Sequence, residues 1–340
     1  MDHLRQRKST QLRVCLQHPV EHRSLTTHLE RDRLSGGEAV PIEAVDLTTS
    51  FLGRRLSAPI LIGAMTGGTP EAGPINSNLA AAAQRLGLGM GVGSQRAALE
   101  DPSLRTSYQV RDVAPDIVLL ANLGIAQLGQ GWGAAEARAA VEMIQADALM
   151  LHYNPFQELV QEPESADLSA GLQAVRDLVG ALPVPVMVKE VGWGLPVEVA
   201  VQLWGYGVRH FDTGGAGGTC WAEVLRYTCE RDAERALVEE IARRGTPTAE
   251  VIRALRGALP EATIIAGGGI RTGRDIAVAL ALGADLVSVA RPLLQPATGS
   301  AAAVEEWLAA ATCALREAMA KIGAKDLAAL KRGQVVLGEG

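Results

Sequence analysis

The sequence predicts an α/β fold, a (β/α)₈ TIM barrel, from three observations. Eight short apolar runs recur along the chain, a Gly-rich or polar cluster follows each run, and an Ala- and Leu-rich helical stretch follows the clusters. Near-continuous apolar strands that alternate with helices are typical of a parallel sheet covered on both faces. Eight such units favour closure into a barrel, with an open doubly wound sheet as the alternative. The runs occupy residues 59–64, 88–93, 117–124, 148–154, 184–192, 208–215, 263–269 and 286–292.

Two connecting helices have recognisable ends. One is predicted over residues 75–87, with Asn76 as a candidate N-cap and Gly87 at its C-terminal end. Another, over residues 272–284, repeats this arrangement from a threonine to a glycine. These boundaries support helices between the strands, as the barrel requires.

Two segments depart from the regular alternation. Residues 216–262 form a long insertion between strands six and seven. Residues 1–58 precede the first strand, and we expect this N-terminal extension to cover one barrel end or to reach into the active site. Since no linker or low-complexity tract interrupts the 340 residues, we predict one domain over residues 1–340.

Composition and charge exclude several classes of protein. Apolar residues make up 48 % of the chain, which is incompatible with a disordered polypeptide. The net charge is −6 and the charges are interspersed, so we expect no nucleic-acid partner. The charged N-terminus and the lack of a long apolar run predict a cytoplasmic protein without a membrane partner.

Polar residues gather after the strands, which is where barrel active sites lie. The sequence GGGIRTG at residues 267–273, with Ala290 and Arg291 after the eighth strand, resembles a phosphate cradle. Glycines let backbone N–H groups approach an anion, and a following helix N-terminus adds positive potential. Thr219 offers a further hydroxyl donor.

Two strand ends carry residues suited to catalysis. Lys189 ends the fifth strand, where it either pairs with Glu190 or another carboxylate, or faces the electron-rich edge of a flavin. A polar cluster follows the fourth strand and comprises His152, Asn154, Gln157 and Glu158. Glu158 is either an oxygen ligand for Mg²⁺ or an acidic residue that begins the next helix.

These motifs, in this order, resemble the type 2 isopentenyl diphosphate isomerases over nearly the whole chain. The matching segments are RK (7–8), DLTTSFLG (46–53), MTGGT (65–69), GVGSQRAAL (91–99), NLG (122–124), HYNPFQELVQ (152–161), VKEVGWG (188–194), DTGGAGGTCW (212–221), GTPT (245–248) and GGGIRTGRD (267–275). The Gly-rich pieces are weak signals singly, whereas the ordered set is highly specific.

The resemblance implies a barrel that isomerises isopentenyl diphosphate to dimethylallyl diphosphate in isoprenoid biosynthesis, with reduced FMN as acid and base, NADPH as the reductant of FMN, and Mg²⁺ on the diphosphate. It implies an FMN site formed by Met65, Thr66, Ser94, Asn122, Lys189, Thr219, Gly268, Gly269, Arg271, Ala290 and Arg291. It implies a substrate site formed by Arg7, Lys8, Arg96, His152, Asn154 and Gln157.

The resemblance also assigns catalytic roles and an assembly. Gln157 would face the reacting carbons, with His152 and Asn154 beside it, and Glu158 would bind Mg²⁺. No pair of carboxylates stands out as acid and base, which fits proton transfer by the flavin. Members of the family form homo-oligomers, often tetramers or octamers, so we expect one of these.

The chain departs from the family pattern at three places. One is the segment QEPESADLS (161–169), in which the Gly-Asp that the family has after its QExxQ segment is blurred. Gln11 stands where the family has a histidine, and Leu225 stands where it has a glutamate, with Glu223 nearby. An amide can donate a hydrogen bond but carries no charge. The alternatives are an FMN-dependent oxidoreductase of the 2-hydroxy-acid oxidase type and a non-catalytic flavin-binding protein.

Overall fold

The computed structural model describes residues 2–156, 168–229 and 232–336 and confirms the predicted barrel. Eight parallel strands follow one another around a closed sheet, and the eighth pairs with the first. Each predicted apolar run contains one strand, shortened at one or both ends. The strands are β1 (Ile60–Ile62), β2 (Gly89–Gly91), β3 (Leu119–Gly124), β4 (Ala148–Tyr153), β5 (Val186–Glu190), β6 (His210–Asp212), β7 (Thr263–Gly267) and β8 (Leu286–Val289).

Helices surround the barrel because the outward-facing strand residues are apolar and need cover. The helices that precede the insertion are α1 (Asp2–Gln17), α2 (Ala72–Leu86), α3 (Arg96–Glu100), α4 (Ile125–Gly129), α5 (Ala134–Ile144), α6 (Leu168–Ala181) and α7 (Val197–Gly205). The remaining helices are α8 (Trp221–Arg226), α9 (Asp232–Ile241), α10 (Thr248–Ala258), α11 (Gly273–Ala281), α12 (Arg291–Gly299), α13 (Ala301–Lys321) and α14 (Leu327–Arg332).

The predicted insertion contains α8, α9 and α10, and α10 leads into β7. Helix α8 packs against α9 and contacts α1, so the insertion lies on the side of the barrel that the N-terminal helix covers. Trp193 joins this region to the barrel, since its indole N–H donates to the main-chain oxygen of Ile241 at 3.2 Å. Among the described residues, no helix is both long and apolar enough to cross a lipid bilayer.

The prediction that Asn76 caps the first barrel helix was wrong. The helix begins at Ala72, and Asn76 is buried inside it. Its amide donates to the main-chain oxygens of Thr66 at 3.1 Å and Ser107 at 2.8 Å, so it joins two loops instead of capping. The prediction for Gly87 is confirmed, because this residue ends the helix in the left-handed conformation.

The other predicted helix is shorter than expected. Thr272 caps α11 as predicted, and its side chain accepts a hydrogen bond from the backbone N–H of Asp275. The helix ends at Ala281, two residues before Gly283, which follows in a turn with a φ of +119°.

An antiparallel hairpin fills the amino-terminal end of the barrel. It pairs Thr49–Phe51 with Arg54–Leu56, and the turn places Leu52 and Gly53 at positive φ. Phe51 and Leu56 are buried against the inward-facing apolar side chains of the strands. The N-terminal extension therefore covers this end of the barrel and also sends α1 toward the opposite end.

The inward-facing side chains of the strands are apolar toward the amino-terminal end of the barrel and polar toward its carboxyl-terminal end. Successive side chains of a strand point to opposite faces, so inward-facing residues are two apart. In β3 the apolar Leu120 is followed by Asn122, and in β5 Met187 is followed by Lys189. The apolar residues lie at the amino-terminal end that the hairpin fills, while the polar residues line a cavity at the carboxyl ends of the strands.

Candidate active site

One cavity at the carboxyl ends of the strands brings together every predicted site residue that the structure describes. These are Arg7, Lys8, Met65, Thr66, Ser94, Arg96, Asn122, His152, Asn154, Lys189, Thr219, Gly268, Gly269, Arg271, Ala290 and Arg291. Gln157 and Glu158, predicted for catalysis and Mg²⁺, lie outside the described residues. The cavity joins residues from α1 to those of the barrel loops, across more than 280 positions of sequence.

The ammonium group of Lys8 fixes two of the cavity loops. It donates to the main-chain oxygens of Gly67 at 3.0 Å and Ser94 at 2.8 Å, and to the hydroxyl of Tyr108 at 3.2 Å. Burial lowers the pKa of Lys8 to about 7, and the charges of Arg7 and Arg96 act in the same direction. Lys8 is therefore a cation that can lose its charge near neutral pH.

His152 is neutral in this environment. Burial lowers its pKa to about 3, and the positive charges of Lys189 and Lys8 contribute to the shift. Its Nδ1 lies 2.9 Å from Oδ1 of Asn122, and a hydrogen bond there requires a proton on Nδ1. At neutral pH, His152 can thus contribute a hydrogen bond to a ligand but no positive charge.

Lys189 lies between two buried carboxyl groups but bonds to neither of them directly. Its ammonium donates to the main-chain oxygen of Glu190 at 2.7 Å, whereas the Glu190 carboxylate accepts N–H bonds from the loop over residues 192–194. Burial raises the pKa of Glu190 to about 7 against the effect of these bonds and of Lys189. Burial also raises the pKa of Asp212, which Lys189 opposes.

Glycines form a tightly packed cradle at one end of the cavity. A Cβ on Gly268 would lie 2.0 Å from the main-chain oxygen of Gly215, and one on Gly218 would lie 2.3 Å from the nitrogen of Gly269. Gly268 and Gly269 also have φ values of +104° and +77°, which side chains rarely allow. These loops pack backbone against backbone, and Gly218, Gly268 and Gly269 line the cavity. Backbone peptide groups of this kind are suited to binding an anion.

The departures from the family pattern have different environments. Gln11 lines the cavity and is 9 % exposed, and its amide nitrogen has no hydrogen-bond partner among residues 2–156, 168–229 and 232–336. Leu225 is buried in an apolar cluster with Trp193. Glu223 does not replace the missing carboxylate, because it pairs with Arg23 at 3.1 Å and does not line the cavity.

Several cavity groups were not predicted from the sequence. Asp212 near the end of β6 and Ser288 near the end of β8 line the cavity. Inward-facing residues of a strand are two positions apart, so counting from an earlier inward-facing residue of the same strand could have identified both. The ring of Tyr108 packs against Gly67, and its hydroxyl donates to the main-chain oxygen of Ser94 at 2.6 Å. Tyr108 follows a short 3₁₀ helix in a connection, where no sequence pattern indicated a role.

Comparison with known proteins agrees with this architecture. The sequence profile of the FMN-dependent dehydrogenase family matches residues 164–337. Isopentenyl-diphosphate delta-isomerase of Synechococcus sp. is 46 % identical over 336 residues, which covers 98 % of this chain and 96 % of the relative. The Stutzerimonas stutzeri protein of the same name is 47 % identical over 298 residues, covering 87 % and 86 % of the two chains.

A solved structure with the same fold is more distant in sequence. Mandelate oxidase with 3,3-difluoro-2-hydroxy-3-phenylpropionic acid superimposes with a TM-score of 0.60 at 18 % identity. The match covers 92 % of this chain and 89 % of the oxidase. This likeness supports the barrel fold alone.

Proposed function

The chain belongs to the isopentenyl-diphosphate delta-isomerase family, and we propose on that premise that it converts isopentenyl diphosphate into dimethylallyl diphosphate. The observation that carries the proposal is the convergence of the motif residues on one cavity. Cations from α1 and α3 meet a glycine cradle and the partly buried Lys189 there. A diphosphate and a flavin each need such groups, and the cavity offers both sets.

The residues of the glycine cradle fit the phosphate of FMN. Gly268 and Gly269 line the cavity with backbone, Thr219 offers a hydroxyl, and Arg271 and Arg291 supply positive charge. Lys189 would then stabilise negative charge on the ring system. Reduced FMN, when bound, would supply the acid and base for moving the double bond, after reduction by NADPH.

The substrate diphosphate fits the opposite part of the cavity. Arg7, Lys8 and Arg96 provide positive charge from α1 and α3. The amide nitrogen of Gln11, which has no partner within the described part of the chain, lies one helical turn from Arg7 and Lys8, so it can donate a neutral hydrogen bond to the same ligand. His152 and Asn154 would orient the substrate through hydrogen bonds, because His152 carries no charge.

We assign Gln157 to the reacting end of the substrate and Glu158 to Mg²⁺. One carboxylate is sufficient for this ion, which takes phosphate oxygens and keeps several waters. Among the described residues, no group of three or more His, Cys, Asp or Glu side chains could hold a metal ion. A site completed by the substrate itself would need no such group.

In this mechanism the protein orients the substrate, neutralises its charge and limits access of water. Helix α1 contributes to all three, because its residues Leu4, Arg7, Lys8, Gln11, Leu12 and Cys15 line the cavity. Glu190 would hold the loop after β5 in place through its three backbone hydrogen bonds. Neither the contributions of α1 nor the role of Glu190 requires a protein group to carry the transferred proton.

The proposal is tested by anaerobic incubation of the protein with isopentenyl diphosphate, FMN, NADPH and Mg²⁺. We expect dimethylallyl diphosphate to appear, as measured by nuclear magnetic resonance. In a parallel aerobic incubation with a 2-hydroxy acid, oxidation of that acid without any isomerisation of isopentenyl diphosphate would instead support an oxidoreductase on the same barrel. A protein that binds FMN but turns over neither substrate would be a non-catalytic flavin-binding protein.

A further inference from the structure

A carboxylate lies beside the two arginines of the phosphate cradle. Oε1 of Glu21 is 2.8 Å from Nη2 of Arg271 and 3.1 Å from Nη1 of Arg291. All three residues line the same cavity. An acidic side chain at a site for an anion opposes binding, so its presence here requires an explanation.

Glu21 is not needed to hold the arginines in position. Arg271 also donates to the main-chain oxygens of Gly217 at 3.2 Å and Gly269 at 2.9 Å. Arg291 donates to the main-chain oxygens of Cys15 at 3.2 Å and His18 at 3.0 Å. Both guanidinium groups are therefore fixed by backbone acceptors.

The side chain of Glu21 is also not needed to hold its own segment. The backbone of Glu21 forms an antiparallel bridge with Thr219. The neighbouring His22 N–H donates to the main-chain oxygen of Gly218 at 3.1 Å, and Cys220 N–H donates to that of Val20 at 2.8 Å. What the carboxylate adds beyond these contacts is negative charge.

That charge is present at neutral pH. Burial tends to raise the pKa of Glu21, but the hydrogen bonds and charges of Arg271 and Arg291 outweigh it and lower the pKa below its usual value. The carboxylate offsets one of the two guanidinium charges. The cradle then presents roughly one net positive charge from these three side chains.

We propose that Glu21 is a specificity-determining residue of the cofactor site, which weakens its attraction for phosphate groups. The inference rests on the proposed function, since it takes the cradle as the site of the flavin phosphate. With the arginine charge reduced, free inorganic phosphate competes poorly, and a bound flavin must also be held through its ring. Removing the charge of Glu21 raises the affinity of the cradle for any phosphate group.

The test compares Glu21→Gln with the wild-type chain in titrations with FMN and with riboflavin, which lacks the phosphate. Flavin fluorescence reports binding at low ionic strength. Gln keeps an oxygen that can accept from Arg271, so only the charge changes. We expect the dissociation constant for FMN to fall about threefold or more, as for a partly exposed charge, while that for riboflavin is unchanged.

Two further measurements sharpen the test. With FMN held well below its dissociation constant, inorganic phosphate should inhibit FMN binding to Glu21→Gln at lower concentrations than it does for the wild type, and both differences should shrink at high salt. Glu240→Gln is the matched control, because it removes the same charge from an exposed ion pair with Arg244 outside the cavity. We expect it to bind FMN as the wild type does.

The outcomes separate this inference from the proposed function. Unchanged or weaker FMN binding by Glu21→Gln would overturn the inference, as would an equal gain for FMN and riboflavin. A wild-type chain that binds no flavin would overturn the proposed function itself. Tighter binding of FMN alone, with a silent Glu240→Gln control, would support both.

Discussion

Lys8 is the residue at which pH should act on substrate binding. Its pKa is lowered to about 7, so it is charged below this pH and neutral above it. We expect its attraction for a diphosphate to be present below pH 7 and to be lost above it. The Michaelis constant for isopentenyl diphosphate should therefore rise between about pH 6.5 and 8.5.

Lys8→Arg provides the comparison, because arginine stays charged over this range. The substrate's own ionisation is common to both proteins, so only the wild type should lose affinity. Identical profiles in the two proteins would exclude Lys8 as the source. The effect on stability has the opposite sign: the folded state binds fewer protons than the unfolded state between pH 7 and 10.5, so the free energy of unfolding should rise there.

Glu158 is the residue on which the magnesium proposal depends. Glu158→Gln keeps the size of the side chain and removes its charge. We expect this variant to bind FMN normally, but to lose activity by about tenfold or more, or ~1.4 kcal/mol of transition-state stabilisation, with a Mg²⁺ requirement shifted to higher concentration. Steady-state rates over a Mg²⁺ titration measure both changes.

Glu162→Gln is the control for this experiment, since it removes a carboxylate four positions further along the chain. It should retain the wild-type Mg²⁺ titration. If Glu158→Gln were as active as the wild type at every Mg²⁺ concentration, the metal would have to be bound by other groups. If Glu158→Gln and Glu162→Gln shifted the Mg²⁺ titration equally, the cause would be the net charge of the segment and not coordination by Glu158.

At the level of elements, the hairpin at the amino-terminal end should affect stability and leave the cavity unchanged. Phe51 is 3 % exposed and packs inside the barrel at the end opposite to the cavity. Phe51→Ala should lower the free energy of unfolding by about 3–5 kcal/mol, through lost burial and the space left behind. Urea denaturation measures this change, and flavin titration should give an unchanged affinity.

Val113→Ala is a suitable control, because Val113 is 42 % exposed and its truncation should change stability little. A loss of FMN affinity in a folded Phe51→Ala protein would contradict this separation of roles. The separation itself follows from strand periodicity, since the same inward-facing rows carry apolar side chains at one end and polar side chains at the other.

For the whole molecule, the balance of the reaction distinguishes isomerisation from oxidation. An isomerisation has no net redox change, so one equivalent of NADPH should support many turnovers once oxygen is excluded. The measurement compares NADPH consumed, by absorbance, with dimethylallyl diphosphate formed. Consumption of one NADPH per product would contradict the isomerase mechanism, and oxygen admitted as a control should raise consumption without raising product.

The predicted homo-oligomer, a tetramer or octamer, stays a prediction. Light scattering on the purified protein would measure the assembly directly.

Much of the fold could be predicted because strand and helix patterns are local properties of sequence. The eight apolar runs and the capping residue Thr272 identified their elements correctly. Asn76 was misassigned, because its hydrogen bonds go to loops 10 and 31 positions away. A capping residue and a buried amide look alike in sequence, and only tertiary contacts distinguish them.

The sequence by itself determined the barrel, the end of it at which the candidate site lies, and the family motifs. The tertiary structure decided which residues beyond the motifs support the site. Tyr108 meets Lys8 across 100 positions, and Glu21 meets Arg271 across 250. Such contacts form only when the barrel closes and α1 packs over the carboxyl ends of its strands. No local sequence pattern can therefore predict them. Burial likewise lowers the pKa values of Lys8 and His152, because desolvation arises only when distant segments pack together.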